Sequence, residues 1–161
     1  MKLLDCLSEQ GPLQDILPGF SPRPQQIQMA QAVEEGLANG QKVIIEAGTG
    51  VGKSLAYLLP SAIWAVENKK KVVIATYTKA LQEQLIGKDL PIVQKVLKAK
   101  GVDLNFSLLM GSENYLCQQR LHRTLEGGAD LFASAAQQGT LESLTKWADG
   151  ASTGLRSRIP R

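Results

Sequence analysis

The sequence predicts an α/β fold, a parallel sheet flanked by helices, and three observations carry that prediction. Short runs rich in apolar, β-branched residues, KVIIEA, KKKVVIAT and NFSLLMG, alternate with longer stretches that repeat apolar residues at helical spacing. Strand, crossover helix and strand in that order imply parallel neighbours buried on both faces. A glycine-crowded loop, AGTGVGKS, separates the first apolar run from the helix that follows it. The chain has 161 residues and 43% hydrophobic content, enough for one core.

The elements follow in order. Leu3, Leu4 and Leu7 form an apolar side on a first segment, and the prolines and glycines of GPLQDILPGFSP mark a connector. RPQQIQMAQAVEEGLANG reads as a helix. Pro24 suits a first turn, Ile27, Ala30, Val33 and Leu37 make an apolar stripe, and Asn39-Gly40 supplies the stop. KVIIEA is a buried-strand run, and the apolar stretch after Lys53 is long enough for a helix, expected to bend near Pro60. KKKVVIAT is the second strand, ALQEQLIGK an amphipathic helix, and Asp89-Leu90-Pro91 the expected start of a separate helix through Lys100. NFSLLMG is the third strand. The tail offers one helix, a glycine break and a further helix through LESLTKWA. No internal repeat or low-complexity segment is present.

Composition limits the function classes. The formal net charge of +3, from 18 basic and 15 acidic residues, is compatible with a polyanion partner but does not demand one. Cys6 and Cys117 are distant and form no C-x-x-C pair, so neither a disulfide framework nor a closed zinc site is written here, which suits a reducing cytoplasm. The first residues lack the apolar stretch of a signal peptide. No run approaches the roughly 20 apolar residues that span a bilayer, so the expectation is a cytoplasmic protein with no membrane partner.

The glycine loop carries the chemistry. It leaves a strand and opens a helix, so its N–H groups can turn toward an anion while the helix N-terminus adds positive partial charge there. Phosphate is the guest that fits. Gly48, Gly50 and Gly52 admit it without Cβ atoms in the way, Lys53 reaches the β- and γ-phosphate oxygens, and the Ser54 hydroxyl takes a place on Mg²⁺. The pattern G-x-x-x-x-G-K-[ST] asks for glycine where this chain has Ala47. The relaxed form arises by accident in roughly one chain of this length in a hundred, given average residue usage.

With Ala47 in place the loop resembles motif I of superfamily 2 helicases. EAGTGVGKSLAYLLP, VVIATYTKALQEQL, KDLP and GSENYLCQQRL, in that order over residues 20–121, resemble the N-terminal part of the DinG/XPD-like iron–sulfur DNA helicases, most closely the bacterial DinG branch. The resemblance implies a RecA-like P-loop NTPase sheet and ATP with Mg²⁺ as the bound species. It places Arg23, Gln26, Ala47, Gly48, Thr49, Gly50, Val51, Gly52, Lys53 and Ser54 around the nucleotide, with Lys53 and Ser54 in the catalytic roles. Gln26 would read the adenine edge, since a side-chain amide offers both donor and acceptor. The plainer alternative for Arg23 and Gln26 is a solvated helix start. Thr76, Thr78 and Lys79 match the element that touches the backbone of single-stranded DNA, although Thr78 also suits a helix cap.

Cys117, in ENYLCQQ, matches the first of four thiolates that hold a [4Fe–4S] cluster in that family. One thiolate cannot hold a cubane, so a cluster is expected only in a complete protein. His122 has no second ligand at metal spacing and reads as a solvated helix position. Lys69, Lys70 and Lys71 read as a surface turn, and Trp64 and Trp147 as packing residues.

ATP hydrolysis in this class also needs an acidic D-E-x-H or D-E-x-D box, and none occurs in the chain. The expectation is therefore an incomplete motor. Residues 1–22 form an N-terminal helix and connector, 23–116 the first part of the ATP-binding motor domain, and 117–161 the start of a helical insertion of the iron–sulfur type. The function so implied is that of an N-terminal fragment of an ATP-dependent DNA helicase, 5′ to 3′ by resemblance, whose partners are single-stranded DNA and the remainder of the motor. A stand-alone nucleotide-binding or regulatory module without turnover stays open beside it. A P-loop small-molecule kinase would leave the YTKALQEQL and NYLC blocks unexplained.

Overall fold

A computed structural model of the chain describes residues 2–127 and 135–160. They fall into two compact units, residues 1–108 and 109–161.

The first unit is organised by helices. α1 (Leu3–Leu7) and α2 (Pro12–Ile16) are single turns, and α2 lies inside the stretch expected to be a plain connector, with Pro12 at its first turn. α3 spans Pro24–Asn39. Its ends are those the sequence announces: Pro24 occupies the first turn, and Gly40 takes a left-handed φ of +63°, so that the Gln41 N–H closes onto the Gly36 carbonyl at 2.9 Å. α4 (Lys53–Glu67) carries Pro60 inside it, and residues 58–63 are buried without interruption. A helix buried all round belongs in the middle of a core. It packs on α3, on α1 and on α6 (Leu90–Ala99). That burial offsets the roughly 3 kcal/mol that an interior proline costs a helix. Leu3, Cys6, Leu7, Leu13, Leu58, Leu59, Val93, Val96 and Leu97 make the centre of the core.

The expected break at Asp89 does not occur. α5 (Lys79–Gln84) runs through a π-helical turn, Leu85–Asp89, into α6, and Asp89 keeps helical angles (φ −73°, ψ −44°). Pro91 explains the change of pitch: it lacks an N–H and its ring would strike the carbonyl four residues back, and a wider turn relieves both problems. The π turn stacks residues five apart, and Gln84 Nε2 donates to Asp89 Oδ2 at 3.0 Å, serving a carboxylate only 6% exposed.

The parallel sheet predicted from the sequence is not formed among the described residues. Segments 41–48, 70–76 and 102–110 carry no assigned strand, and an isolated antiparallel bridge, Tyr115 to Leu155, is the one β pairing among them. The first and third of these segments lie against helices rather than against another segment. Val43 lies against Gly36 of α3, and Gln94 of α6 donates to the Leu104 carbonyl at 2.7 Å. Helix packing fixes one face of such a segment, whereas a ladder needs a neighbouring strand about 4.8 Å away.

The second unit contains a 3₁₀ turn (Ser112–Asn114), α7 (Gln118–Glu126), α8 (Ala135–Gly150) and a second 3₁₀ turn (Arg156–Arg158). The Leu116 N–H donates to the Gly154 carbonyl at 2.7 Å and Arg156 Nη1 to the Glu113 carbonyl at 3.2 Å, so the two 3₁₀ turns are tied together. The expected glycine break begins at Gly127, and its remainder, residues 128–134, lies outside the described residues. Trp64 and Trp147 are half-buried, His122 is exposed, and Lys70 stands over the Trp64 ring at 5.6 Å.

The two thiols should separate cleanly. Burial pushes the Cys6 thiol up, with Lys100 pulling the other way, while Cys117 is exposed. Titration with a disulfide reagent at pH 8 is expected to give one fast thiol per chain, abolished in Cys117→Ser, and a second only in denaturant. Two fast thiols would mean that α1 is not packed as described.

Candidate nucleotide-binding site

The loop from Ala47 to Ser54 joins the first extended segment to α4, and its shape depends on two glycines. Gly50 and Gly52 have φ of +77° and +81°, values that side-chain-bearing residues rarely adopt. Gly52 is the residue on which α4 begins, and no side chain caps that end. The first N–H groups of α4 are thereby left for a guest. A Cβ built on Gly48 meets nothing within 4 Å, and one on Gly50 meets only Arg23 Nη1 at 3.9 Å, so the space above the loop is open. These features fit a phosphate chain.

Two hydrogen bonds hold the loop. Gln26, only 3% exposed on the first turns of α3, donates from Nε2 to the Gly52 carbonyl at 3.1 Å. Within the loop, Lys53 Nζ donates to the Ala47 carbonyl at 3.0 Å, which joins the loop's two ends. The structure brings Arg23 and Gln26 to residues 47–54. It also shows a use for Gln26 that the sequence did not suggest: its amide holds the main chain of the loop.

Burial raises the Tyr57 phenol, one turn along α4 from Ser54, above its ordinary value, with the Ser54 hydroxyl opposing and the Asp89 charge reinforcing. Beside the loop lies an open cleft of about 300 Å³ between Gln25, Gln28, Met29 and Ala32 of α3 and residues 45–48 and 51. Sequence reasoning did not single out these α3 residues, although the alternation in QQIQM sets two of the glutamines on a face apart from buried Gln26.

Thr76, Thr78 and Lys79 form a separate cluster at the start of α5. Thr78 caps the helix, accepting from the Leu81 N–H at 3.3 Å, and Thr76 Oγ1 donates to the Thr78 carbonyl at 3.4 Å. Between them Tyr77 is fully exposed, an aromatic residue that sequence reasoning passed over although it interrupts two threonines. Cys117 precedes α7 in the second unit, and no group of three His, Cys, Asp or Glu suited to a metal exists among the described residues. Cys6, closed inside the helical core, is no second ligand, so these residues do not by themselves fit an iron–sulfur cube.

The glycines should respond differently to alanine. Gly52→Ala forces a left-handed φ and drives its methyl group onto the Gln26 amide nitrogen, so thermal or urea unfolding should show a loss of about 1–3 kcal/mol. Gly48→Ala should leave unfolding unchanged and weaken only the binding of a fluorescent ATP analogue. Equal stability losses in the two variants would contradict this account of the loop.

The DEAD/DEAH box helicase family profile matches residues 23–142. The ATP-dependent DNA helicase YoaA of Escherichia coli is 47% identical over 129 residues, covering 80% of this chain and 19% of that protein. The 3'-5' exonuclease DinG of Bacillus subtilis is 34% identical, covering 88% of this chain and 15% of that protein. The ATP-dependent helicase DinG of Mycobacterium tuberculosis is 37% identical, covering 88% and 23%. The chain therefore spans less than a quarter of each of these relatives. Because the matched stretch takes in the Arg23–Gln26 element, the glycine loop, the threonine turn and the segment through Cys117, this chain belongs to the DEAD/DEAH box helicase family.

Proposed function

We propose that the chain supplies the nucleotide cradle and part of the single-stranded DNA track of an ATP-dependent DNA helicase of the DinG/YoaA type. The observation that carries the reading is the meeting of Arg23 and Gln26 with a loop whose left-handed glycines open an uncapped helix. Arg23 stands beside Gly50, the Lys53 ammonium serves the β- and γ-phosphates, and Ala47, Gly48, Thr49, Gly50, Val51, Gly52 and Ser54 line the approach. Ser54 offers its hydroxyl to Mg²⁺, which when bound spreads and neutralises phosphate charge. The extended segments belong to the parallel sheet of a RecA-like domain. Cys117 is a cluster ligand only in a longer protein that brings three more thiolates, and 5′ to 3′ polarity follows from the resemblance alone. A module without turnover is not favoured, because relatives matching along most of the chain carry the names of ATP-dependent helicases.

On the DNA side, Thr76, Thr78 and Lys79 contact phosphates, and Tyr77 offers a ring on which a base stacks. Phosphate contact and stacking have different salt signatures, which makes the assignment testable.

Lys53→Ala is expected to weaken fluorescent-ATP binding at least tenfold, since a charge-assisted contact worth about 1.5–3 kcal/mol is lost. Unchanged affinity would remove the basis of the reading. The chain alone, without an acidic partner for Lys53 and Ser54, should show no steady-state ATPase even with single-stranded DNA, and turnover that vanishes in Lys53→Ala would refute that.

Affinity for a single-stranded oligonucleotide should fall with salt. Lys79→Ala should lower the slope of log K against log salt by about 0.7. Tyr77→Ala should cost about tenfold in affinity with the slope intact, and Tyr77→Phe should restore it. A Tyr77→Ala variant that binds like the parent would exclude stacking.

A further inference from the structure

Two side chains that belong neither to the nucleotide loop nor to the Thr76–Lys79 turn meet where the chain changes pitch. They are Gln84, the last residue of α5, and Asp89, the last of the π-helical turn. Asp89 is well placed to cap α6, yet its carboxylate makes no capping bond there. It is buried, and it accepts instead from Gln84 Nε2, whose residue lies on the exposed side of the helix. Five residues span about 500° of an α-helix, which would leave the two side chains about 140° apart and out of reach. In a π turn they come into line, as the Leu90 N–H shows by closing onto the Leu85 carbonyl five residues back. The bond therefore belongs to the π form alone. An enclosed carboxylate without its donor is unfavourable, so the pair and the turn depend on each other.

The turn decides where α5 points. One residue more per turn than in an α-helix rotates everything before it by about 100° relative to α6. α6 is fixed, because Val93, Val96 and Leu97 are wholly buried in the core. α5 is not: it contains no buried residue, and the element it chiefly packs against among those described is the π turn itself. At its free end stand Thr76, Tyr77, Thr78 and Lys79, with the Tyr77 ring fully in solvent. We propose that Gln84 and Asp89 are positioning residues for single-stranded DNA: their hydrogen bond locks the π turn, and the locked turn fixes the direction in which residues 76–79 meet the strand. The proposal rests on the DNA-track reading and adds to it two residues that act through α5 rather than by contact.

The test follows the anisotropy of a fluorescent single-stranded oligonucleotide at low salt, beside fluorescent-ATP titration of the same samples. Gln84→Met keeps the length of the side chain and loses the donor, Asp89→Leu removes the acceptor, and Asp89→Asn keeps an acceptor in the same place. Gln84→Met and Asp89→Leu should each weaken oligonucleotide binding about fivefold or more, because a stacking ring and a phosphate contact are displaced together. The slope of log K against log salt should fall by about 0.7 in both. Combining the two substitutions should cost no more than either alone, since both remove one bond. Asp89→Asn should bind like the parent. Affinity for the ATP analogue should stay within about twofold in every variant, as sites without shared partners behave independently. Gln84→Met, at an exposed position, keeps the test decisive if Asp89→Leu does not fold. The proposal is overturned if Gln84→Met binds the oligonucleotide like the parent, or if Asp89→Asn loses as much as Asp89→Leu. It is also overturned if oligonucleotide and ATP affinities fall in parallel, which would make the pair a general prop of the fold. Failure of the DNA-track reading looks different: the parent would bind no oligonucleotide, or Tyr77→Ala and Lys79→Ala would bind like it, and the proposal would fall with that reading.

Discussion

The hydrogen bond from Gln26 to the Gly52 carbonyl is the contact on which the site depends. It links residues 26 positions apart, at 3.1 Å, and its donor is almost wholly enclosed. An amide so placed without an acceptor would cost about 1–3 kcal/mol, so the loop and the first turns of α3 position one another. Gly52 is glycine for two reasons at once: its φ is left-handed, and the Gln26 amide fills the space that a side chain would need. The phosphate loop is therefore not a free turn. It is a piece of main chain pressed against a helix, and the helix brings Arg23 with it.

Behind the loop stands α4, and its burial explains why the loop holds its place. Ala56, Leu58, Leu59, Ala62 and Ile63 pack into a core shared with α1, α2 and α6. Any drift of the loop must move the first turn of a helix enclosed on nearly every side, and close packing resists such movement. The link continues laterally. Tyr57, on the same helix, has its phenol raised by burial and by the charge of Asp89, which is bonded to Gln84 at the end of α5.

Local features were legible in the sequence, and non-local ones were not. Pro24 and Gly40 announced the ends of α3 because capping depends on a few adjacent residues. The loop was legible because its glycine spacing reflects backbone angles. The wide turn at residues 85–89 was not, since Asp89-Leu90-Pro91 is equally good as a helix start, and only packing of Leu85, Val93 and Val96 into one core decides for continuity. Gln26 was singled out for its amide, but its burial follows from where residue 52 comes to lie. The sheet was inferred from apolar runs that reveal what each strand buries but not which strands stand beside it. Tyr77 was missed because exposure is a property of the folded turn.

In the nucleotide-binding reading proposed above, the contact between Lys53 and Ala47 gives the loop a way to receive an anion. Its ammonium is bonded to the neutral Ala47 carbonyl, and the surrounding space over Gly48 and Gly50 is open. Exchange of that carbonyl for a phosphate oxygen replaces a bond charged at one end by a bond charged at both, which is shorter and stronger. The Gly52 carbonyl, held by Gln26 from behind, need not move during the exchange. The uncapped N–H groups of α4 gain an acceptor in the same step. Ordering of the glycine backbone, the largest entropic cost that such a loop could face, is met by its packing against α3 and α4, so in the proposed reading the binding energy of the phosphates is not consumed in shaping their own site.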